Sequence, residues 1–268
     1  MRGFSARVLS NAHRRVMVKR IARSVLLSCA LTFVGGAAAN AQPWEDKMYV
    51  NANLGFDLSS RSFSESLTPV IYDERGAVTT THIIDSGMAP IDVDAGVRIW
   101  RGLGAGAGYR RRAFTETATL DARVPHPTLF GQPRFTSVGV PLQHTESALH
   151  LHAVFVVPVS PRLDVTLLGG PSFVSVTQDL VTGIQIAESS PNFTTVQVAK
   201  VVSVSQNEHT LGFLAGGDVT FFITRLLGVG VTVRYVSANV DFPVAGGGTA
   251  SYDAGGLQLA FGARIRMR

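Results

Sequence analysis

The chain has a single cysteine, Cys29, and charged side chains at only 16% of its positions. It has no apolar run as long as the roughly 20 residues a membrane-spanning helix needs. One thiol excludes an internal disulfide framework and a cysteine-built metal centre. The missing run excludes a helical span beyond the first 41 residues. An excess of cations is also missing once the chain is divided. The formal charge is +5, but seven cations and no acid precede Ala41, and the rest carries 17 Lys and Arg against 19 Asp and Glu. The basic character therefore belongs to the leader and argues against a nucleic-acid partner.

That leader has a recognisable order. Arg2, Arg7, Arg14, Arg15, Lys19, Arg20 and Arg23 come first, then the apolar stretch 24–34, then Ala39-Asn40-Ala41. Basic, apolar and A-x-A in sequence describe a secretory signal peptide over 1–41, cleaved before Gln42. Met17 is an alternative start, and Leu26-Leu27-Ser28-Cys29 loosely matches a lipoprotein signal. Residues 42–268 contain no linker or composition break and read as one domain.

Hydrophobic residues make up 46% of the chain, and past the leader they fall in short alternating segments. Side chains on a strand alternate between two faces, so a half-buried strand is apolar at every second position. Met48–Leu58 follows this rule, as do Ile91–Ile99, Leu103–Arg110, Leu149–Val157, Leu211–Phe221, Leu227–Tyr235 and Leu257–Met267. A less regular segment spans Leu163–Val176, where Leu168 sits on the polar side. Eight segments result. Tight connections at Trp100-Arg101-Gly102, Ser160-Pro161-Arg162 and Thr224-Arg225 alternate with links at about 59–88, 119–146, 177–208 and 241–253. Short turns on one side and long links on the other indicate an antiparallel up-and-down transmembrane β-barrel. In the third link, Val196, Val198, Val202 and Val204 alternate with the opposite parity from Leu211 onward. A strand pair rising above the membrane, with a break at Ser205–Glu208, is expected there.

This pattern resembles the small eight-stranded outer-membrane barrels of the OmpA transmembrane-domain and OmpW-like kind, over all of 42–268. The resemblance implies a bacterial outer-membrane location, with outer-membrane lipid and the barrel assembly machinery as partners. It departs at the end of the chain, where Phe261 is the last aromatic before Arg266-Met267-Arg268.

An eight-stranded interior is just wide enough for side chains to fill. The inward set contains Asp57, Asp92, Asp94, Arg98, Arg110, Asp164, Asp218, Arg234, Arg264 and Arg266. Both signs in so narrow a space should pair into a network, since the interior cannot solvate them as water does; the competing reading is a charged permeation path. Arg111 has lipid-facing parity one step beyond Tyr109, where a cation would meet lipid headgroups or simply snorkel. Gly104, Gly106 and Gly108 lack the following helix a phosphate loop needs and instead make room for bulky neighbours. His150 and His152 with Glu146 form a weak metal-ligand pattern, and His144, Glu146 and Ser147 a weak hydrolase one. The reading is a non-enzymatic barrel with a structural or surface-binding role, without cofactor or metal. A barrel passing small or hydrophobic solutes is the alternative, and a lipid hydrolase the third. The sequence names no extracellular ligand.

Overall fold

The computed structural model describes residues 46–267; the expected leader and its cleavage point lie outside them. The described residues form twelve strands: β1 (Met48–Asp57), β2 (Arg61–Leu67), β3 (Val70–Ile71), β4 (Glu74–Arg75), β5 (Ala77–Ile84), β6 (Gly87–Trp100), β7 (Leu103–Val124), β8 (Arg134–Ser160), β9 (Leu163–Glu188), β10 (Val196–Phe222), β11 (Leu227–Pro243) and β12 (Thr249–Met267). Eight of them close a ring. Each of β6 to β12 pairs antiparallel with the next, and β1 closes the circle by pairing with both β6 and β12. Closure leaves no sheet edge in the lower half, so each backbone polar group there finds a partner within the wall.

The outer wall of that half carries no charge. Leu227, Val229, Val231, Val233 and Tyr235 on β11 point outward, as do Leu149, Leu151, Ala153 and Phe155 on β8; all are exposed. From Leu227 to Tyr235, eight steps of about 3.3 Å tilted by about 40° give a belt about 20 Å tall, close to the apolar band of a membrane barrel. Tyr109, Phe173, Phe213 and Tyr235 stand near its upper rim. Trp100, with Arg101 stacked over its ring at 4.7 Å, stands at the short-turn end.

Above the belt the two faces exchange character. The paired outward row Tyr109, Leu149, Phe173, Leu211 is followed one step higher by Arg111, Ser147, Ser175, His209. On β7 the outward residues continue as Thr115, Thr117, Thr119 and Asp121, while the inward ones become Ala118, Leu120, Ala122 and Val124, all buried. A strand that is polar outside and apolar inside needs water around it and a core within, so this part stands clear of the membrane.

The strands are therefore longer than their belt segments. Links expected at 119–146 and 177–208 are mostly the continued hairpins of β7–β8 and β9–β10, which pair up to Val124–Arg134 and Glu188–Val196. The link at 59–88 holds four short strands, of which β2 pairs with β5 and β5 continues the wall along β7. The expected break at Ser205–Glu208 is absent: those residues pair regularly with Val176–Asp179, and the parity switch occurs higher, at register shifts between Val198 and Lys200 and between Val202 and Ser203. Two bulges there let Val196, Val198 and Val201 face the apolar core with Val181 and Leu120.

The remaining link, 241–253, is the tip of the β11–β12 hairpin. Pairing of β11 with β10 stops at Ser237–Phe213, but with β12 it continues to Pro243–Thr249. At that level Gly255 and Gly256 take φ values of +137° and +97°, where a side chain would be strained. A Cβ on Gly255 would also lie 2.4 Å from the Val236 carbonyl oxygen. The bend carries Val240, Phe242 and Tyr252 onto Phe63, Ile84 and Leu180, in a core across the upper end of the lumen.

The face assignment has a direct consequence. Val231→Arg, in the middle of the lipid-facing row, is expected to cost about 2–4 kcal/mol, while Thr232→Ser, one residue on and facing the lumen, stays near neutral. Urea titration of refolded protein, read by its heat-dependent gel shift, checks this; equal tolerance at both positions would reverse the faces.

Candidate functional site

Alternation forces the charges of the lower half inward, and the structure sorts them into layers. Nearest the short turns, Arg266 pairs with Asp164, lies 3.5 Å from Asp46 and stacks over Phe222 at 4.4 Å. Above it, Arg264 pairs with Asp218 through Nε at 3.1 Å and donates to Thr232 at 3.0 Å. Asp218 also accepts the hydroxyls of Thr220 at 2.6 Å and Thr232 at 2.7 Å. In the next layer Asp92 pairs with Arg234 and lies 3.7 Å from Arg110, and Arg234 Nε donates to Gln258 at 2.8 Å. Highest, Arg110 reaches Asp57 at 2.9 Å, and Arg112 reaches the same carboxylate at 3.2 Å.

Two residues of the expected set behave differently. Asp94 is held by the His152 ring at 3.1 Å and the Asn51 amide at 3.4 Å. Arg98 is half-buried on the inward side near the turn and is engaged by its surroundings. Arg111 faces outward and is exposed, in the first polar row above the belt, cross-strand from Ile91 and Ser147.

The small inward residues of β6 and β7 serve these layers. Ideal Cβ atoms on Gly96 and Gly106 would fall 2.5 Å and 2.4 Å from Tyr49, so both glycines make space for a tyrosine crossing the lumen. Tyr49 packs with Val154, Val156 and Leu168, which explains why Leu168 occupies the polar side of its strand. Between Tyr49, His150, His152, Leu214 and Arg234 lies a cavity of about 40 Å³, room for about three waters. His150 Nε2 and His152 Nδ1 are buried without a protein partner, as groups that bind such waters are.

The weaker patterns do not assemble. His150 bonds Ser172, His152 meets Asp94 and Tyr49, and Glu146 is taken by Arg61, His144 and Tyr252, so the expected metal-ligand trio does not converge. Ser147 lies on the outward side of β8, whereas His144 and Glu146 point inward, so nucleophile and base occupy opposite faces.

Sequence reading missed a second polar cluster. Arg61, Glu65, His82, Glu116, His144, Glu146, Gln178 and Tyr252 form a buried hydrogen-bonded chain above the lumen charges. Most of these lie in segments that read as links. The one available signal was spacing: on the extended β7, Glu116 continues the inward parity of Arg110 and Arg112.

No family model matches the chain, and no curated protein matches it. Among solved structures it is similar to the outer membrane protein OprG from Pseudomonas aeruginosa, at 9% identity over 85% of this chain and 100% of that one, with a TM-score of 0.44. It is similar to Neisserial surface protein A at 13% identity, 82% and 97% coverage and a TM-score of 0.37. For the outer membrane protease OmpT from Escherichia coli the values are 9%, 85%, 99% and 0.38. Identities and scores this low carry no role from those proteins to this chain.

The layered pairing makes Asp92 a sensitive point, because it serves both Arg234 and Arg110. Asp92→Ala would leave the buried Arg234 without a carboxylate, with only Gln258 to meet it, and Arg110 with Asp57 alone, and is expected to cost about 3–5 kcal/mol. The refolding midpoint in urea measures the loss; an unchanged midpoint would mean that the pairs contribute no stability.

Proposed function

We propose that the protein is a non-enzymatic bacterial outer-membrane barrel with a sealed lumen and a binding role at its outer surface. The observation that carries this reading is the obstruction of the lumen. Four ion-paired layers fill the lower half, the cavity among them measures about 40 Å³, and the hydrophobic core with Phe63, Phe242 and Tyr252 covers the upper end. A solute path needs continuous space, and eight strands supply little of it.

The outer part has the build of a rigid support. Two hairpins face each other across a buried apolar core, and Arg134 ties their tips together, donating to the carbonyls of Pro125 at 2.7 Å and Phe193 at 3.0 Å. Beside this tie, Leu129, Phe130 and Phe135 are left exposed, Phe130 at 76% and Phe135 at 73%. Aromatic side chains held in water on a braced support suit contact with a partner outside the cell. Lower down, the uncharged belt suits membrane lipid, and Arg111 at its rim suits the phosphates of an anionic outer leaflet. The leader supports export, and the barrel fold supports insertion by the barrel assembly machinery. The alternation shared with OmpA-type and OmpW-like barrels supplies an architecture but no ligand.

Planar-bilayer recording separates this reading from the transport alternative. The purified barrel, shown free of other porins, is expected to give no steady ohmic steps. Reproducible steps whose ion selectivity changes in Arg98→Ala or Arg234→Ala would establish a channel instead. A change in membrane-lipid composition on expression would point to the hydrolase.

A further inference from the structure

The buried cluster above the lumen has a proton count that its geometry reveals. Glu65 on β2 accepts the backbone N–H of Val181 on β9 at 2.7 Å and faces His82 Nε2 on β5 at 3.2 Å. The other ring nitrogen of His82 lies 2.6 Å from Glu116 on β7, which also takes the Gln178 amide from β9 at 2.7 Å. The Gln178 amide nitrogen donates to the Asp179 carbonyl as well, at 3.1 Å. Two acceptors on the nitrogen side orient the amide, and its oxygen then faces His144 Nδ1 on β8. Finally, His144 Nε2 lies 3.1 Å from Glu146, which also accepts the Tyr252 hydroxyl from β12 and pairs with Arg61 on β2 at 3.1 Å.

Both ring nitrogens of His82, and both of His144, thus face oxygens that act here as acceptors. A neutral imidazole has one N–H to donate, whereas an imidazolium has two. With both rings doubly protonated, Arg61, His82 and His144 balance Glu65, Glu116 and Glu146. Without those protons the cluster keeps two uncompensated carboxylates where His82, His144 and Gln178 are fully buried, and buried unpaired charge is strongly disfavoured.

We propose that this cluster is a proton latch centred on His82: it holds the β2–β5 hairpin tightly across the lumen mouth when the His82 ring is doubly protonated and loosens it as the external pH rises. The segment is also tied to the far wall by Phe63 and Ile84, which pack with Val176 and Leu180, by Val78, which packs with Val181, and by the Tyr72 hydroxyl, which donates to Glu188 of β9. Glu65 reaches β9 directly, His82 reaches it through Glu116, which takes the Gln178 amide, and Phe63 adds a stack on the His82 ring at 4.3 Å and a contact with the Phe242 ring at 6.2 Å. The charged and titratable groups facing the latch are Arg61 and Glu65 from β2, Glu116 from β7, His144 and Glu146 from β8 and Tyr252 from β12, with Asp57 of β1 acting on Arg61. Burial works against a charge on His82, yet hydrogen bonds and charge from Glu116 and Glu65 raise its pKa above the usual 6.5. Burial would raise Glu146, but the His144 hydrogen bond and the Arg61 charge hold it well below the usual carboxylate range. A histidine raised on folding stabilises fully below its unfolded pKa, and the contribution fades as pH climbs through the raised value. The latch is therefore closed in acid and loosens above the ordinary histidine range.

Pulsed electron paramagnetic resonance on the full chain in lipid nanodiscs tests this. Nitroxides go on cysteines replacing the exposed Ser64 and Ser203, with Cys29→Ser, so that the distance spans hairpin and opposite wall. A single short distance is expected at pH 5.5, with a longer population growing toward pH 9. Glu65→Gln combined with Glu116→Gln removes the need for the second proton on His82 and is expected to weaken the pH-dependent shift. An identical distribution at both pH values would overturn the latch, as would an unweakened transition in the double variant. If that variant fails to assemble, the pH series on the parent pair still decides.

Discussion

The ion pairs inside the ring govern what the rest of the chain can do, because an apolar outer belt leaves the lumen as the place for charge in the lower half. Arginines and aspartates entering so narrow a space must meet one another, and they do so layer by layer, with Asp92 and Asp218 each satisfying several groups. The geometry of β6 and β7 follows from this filling. Gly96 and Gly106 are small because Tyr49 crosses above them, and Tyr49 in turn packs with Leu168, Val154 and Val156 over the lower lumen. A barrel filled in this manner is a rigid wall, and chemistry that needs access moves to its outer end.

That outer end obeys the opposite rule. Where hydrocarbon gives way to water, the outward side chains become Arg111, Thr115 and Thr117, and the interior becomes Leu120, Val124 and Leu142. One continuous strand such as β7 serves both environments without changing its pleat, exchanging which face is apolar. The buried cluster of His82, Glu116 and His144 lies near this exchange, where lumen polarity ends and the outer core begins.

How much of this was legible depended on whether one rule held along a segment. Leu227–Tyr235 alternates cleanly because one face meets lipid throughout, and its strand, its outward residues and the inward Arg234 all followed from the pattern. Beyond Tyr109 the rule inverts. Thr119 then falls in the expected link, and Thr115 and Thr117 in the stretch between that link and the strand segment, although their even-numbered neighbours keep building a core. The third link carries enough valine to signal a strand, but its polar run Ser205–Glu208 is where the sequence places the parity change, and a sequence cannot show that the register shifts lie nearer Ala199 and Ser203. Glu65 and His82 were invisible for a different reason: their partners, Val181 and Glu116, are 116 and 34 residues away and meet them only after β2–β5 folds across the mouth. Inward parity alone identified the lumen charges, whereas their actual partners, such as His152 for Asp94, depended on how the strands pair around the ring.

The membrane ends between Tyr109 and Arg111, where the two faces exchange character. The most direct measurement of this boundary is a nitroxide scan of the outward positions of β7 in lipid, at Ala105, Ala107, Tyr109, Arg111, Ala113 and Thr115, comparing relaxation by oxygen with relaxation by a water-soluble nickel complex. Oxygen-dominated relaxation is expected through Tyr109 and nickel-dominated relaxation from Ala113 upward, with the crossover at Arg111. Oxygen-dominated relaxation continuing to Thr115, or nickel access at Ala107, would contradict this boundary.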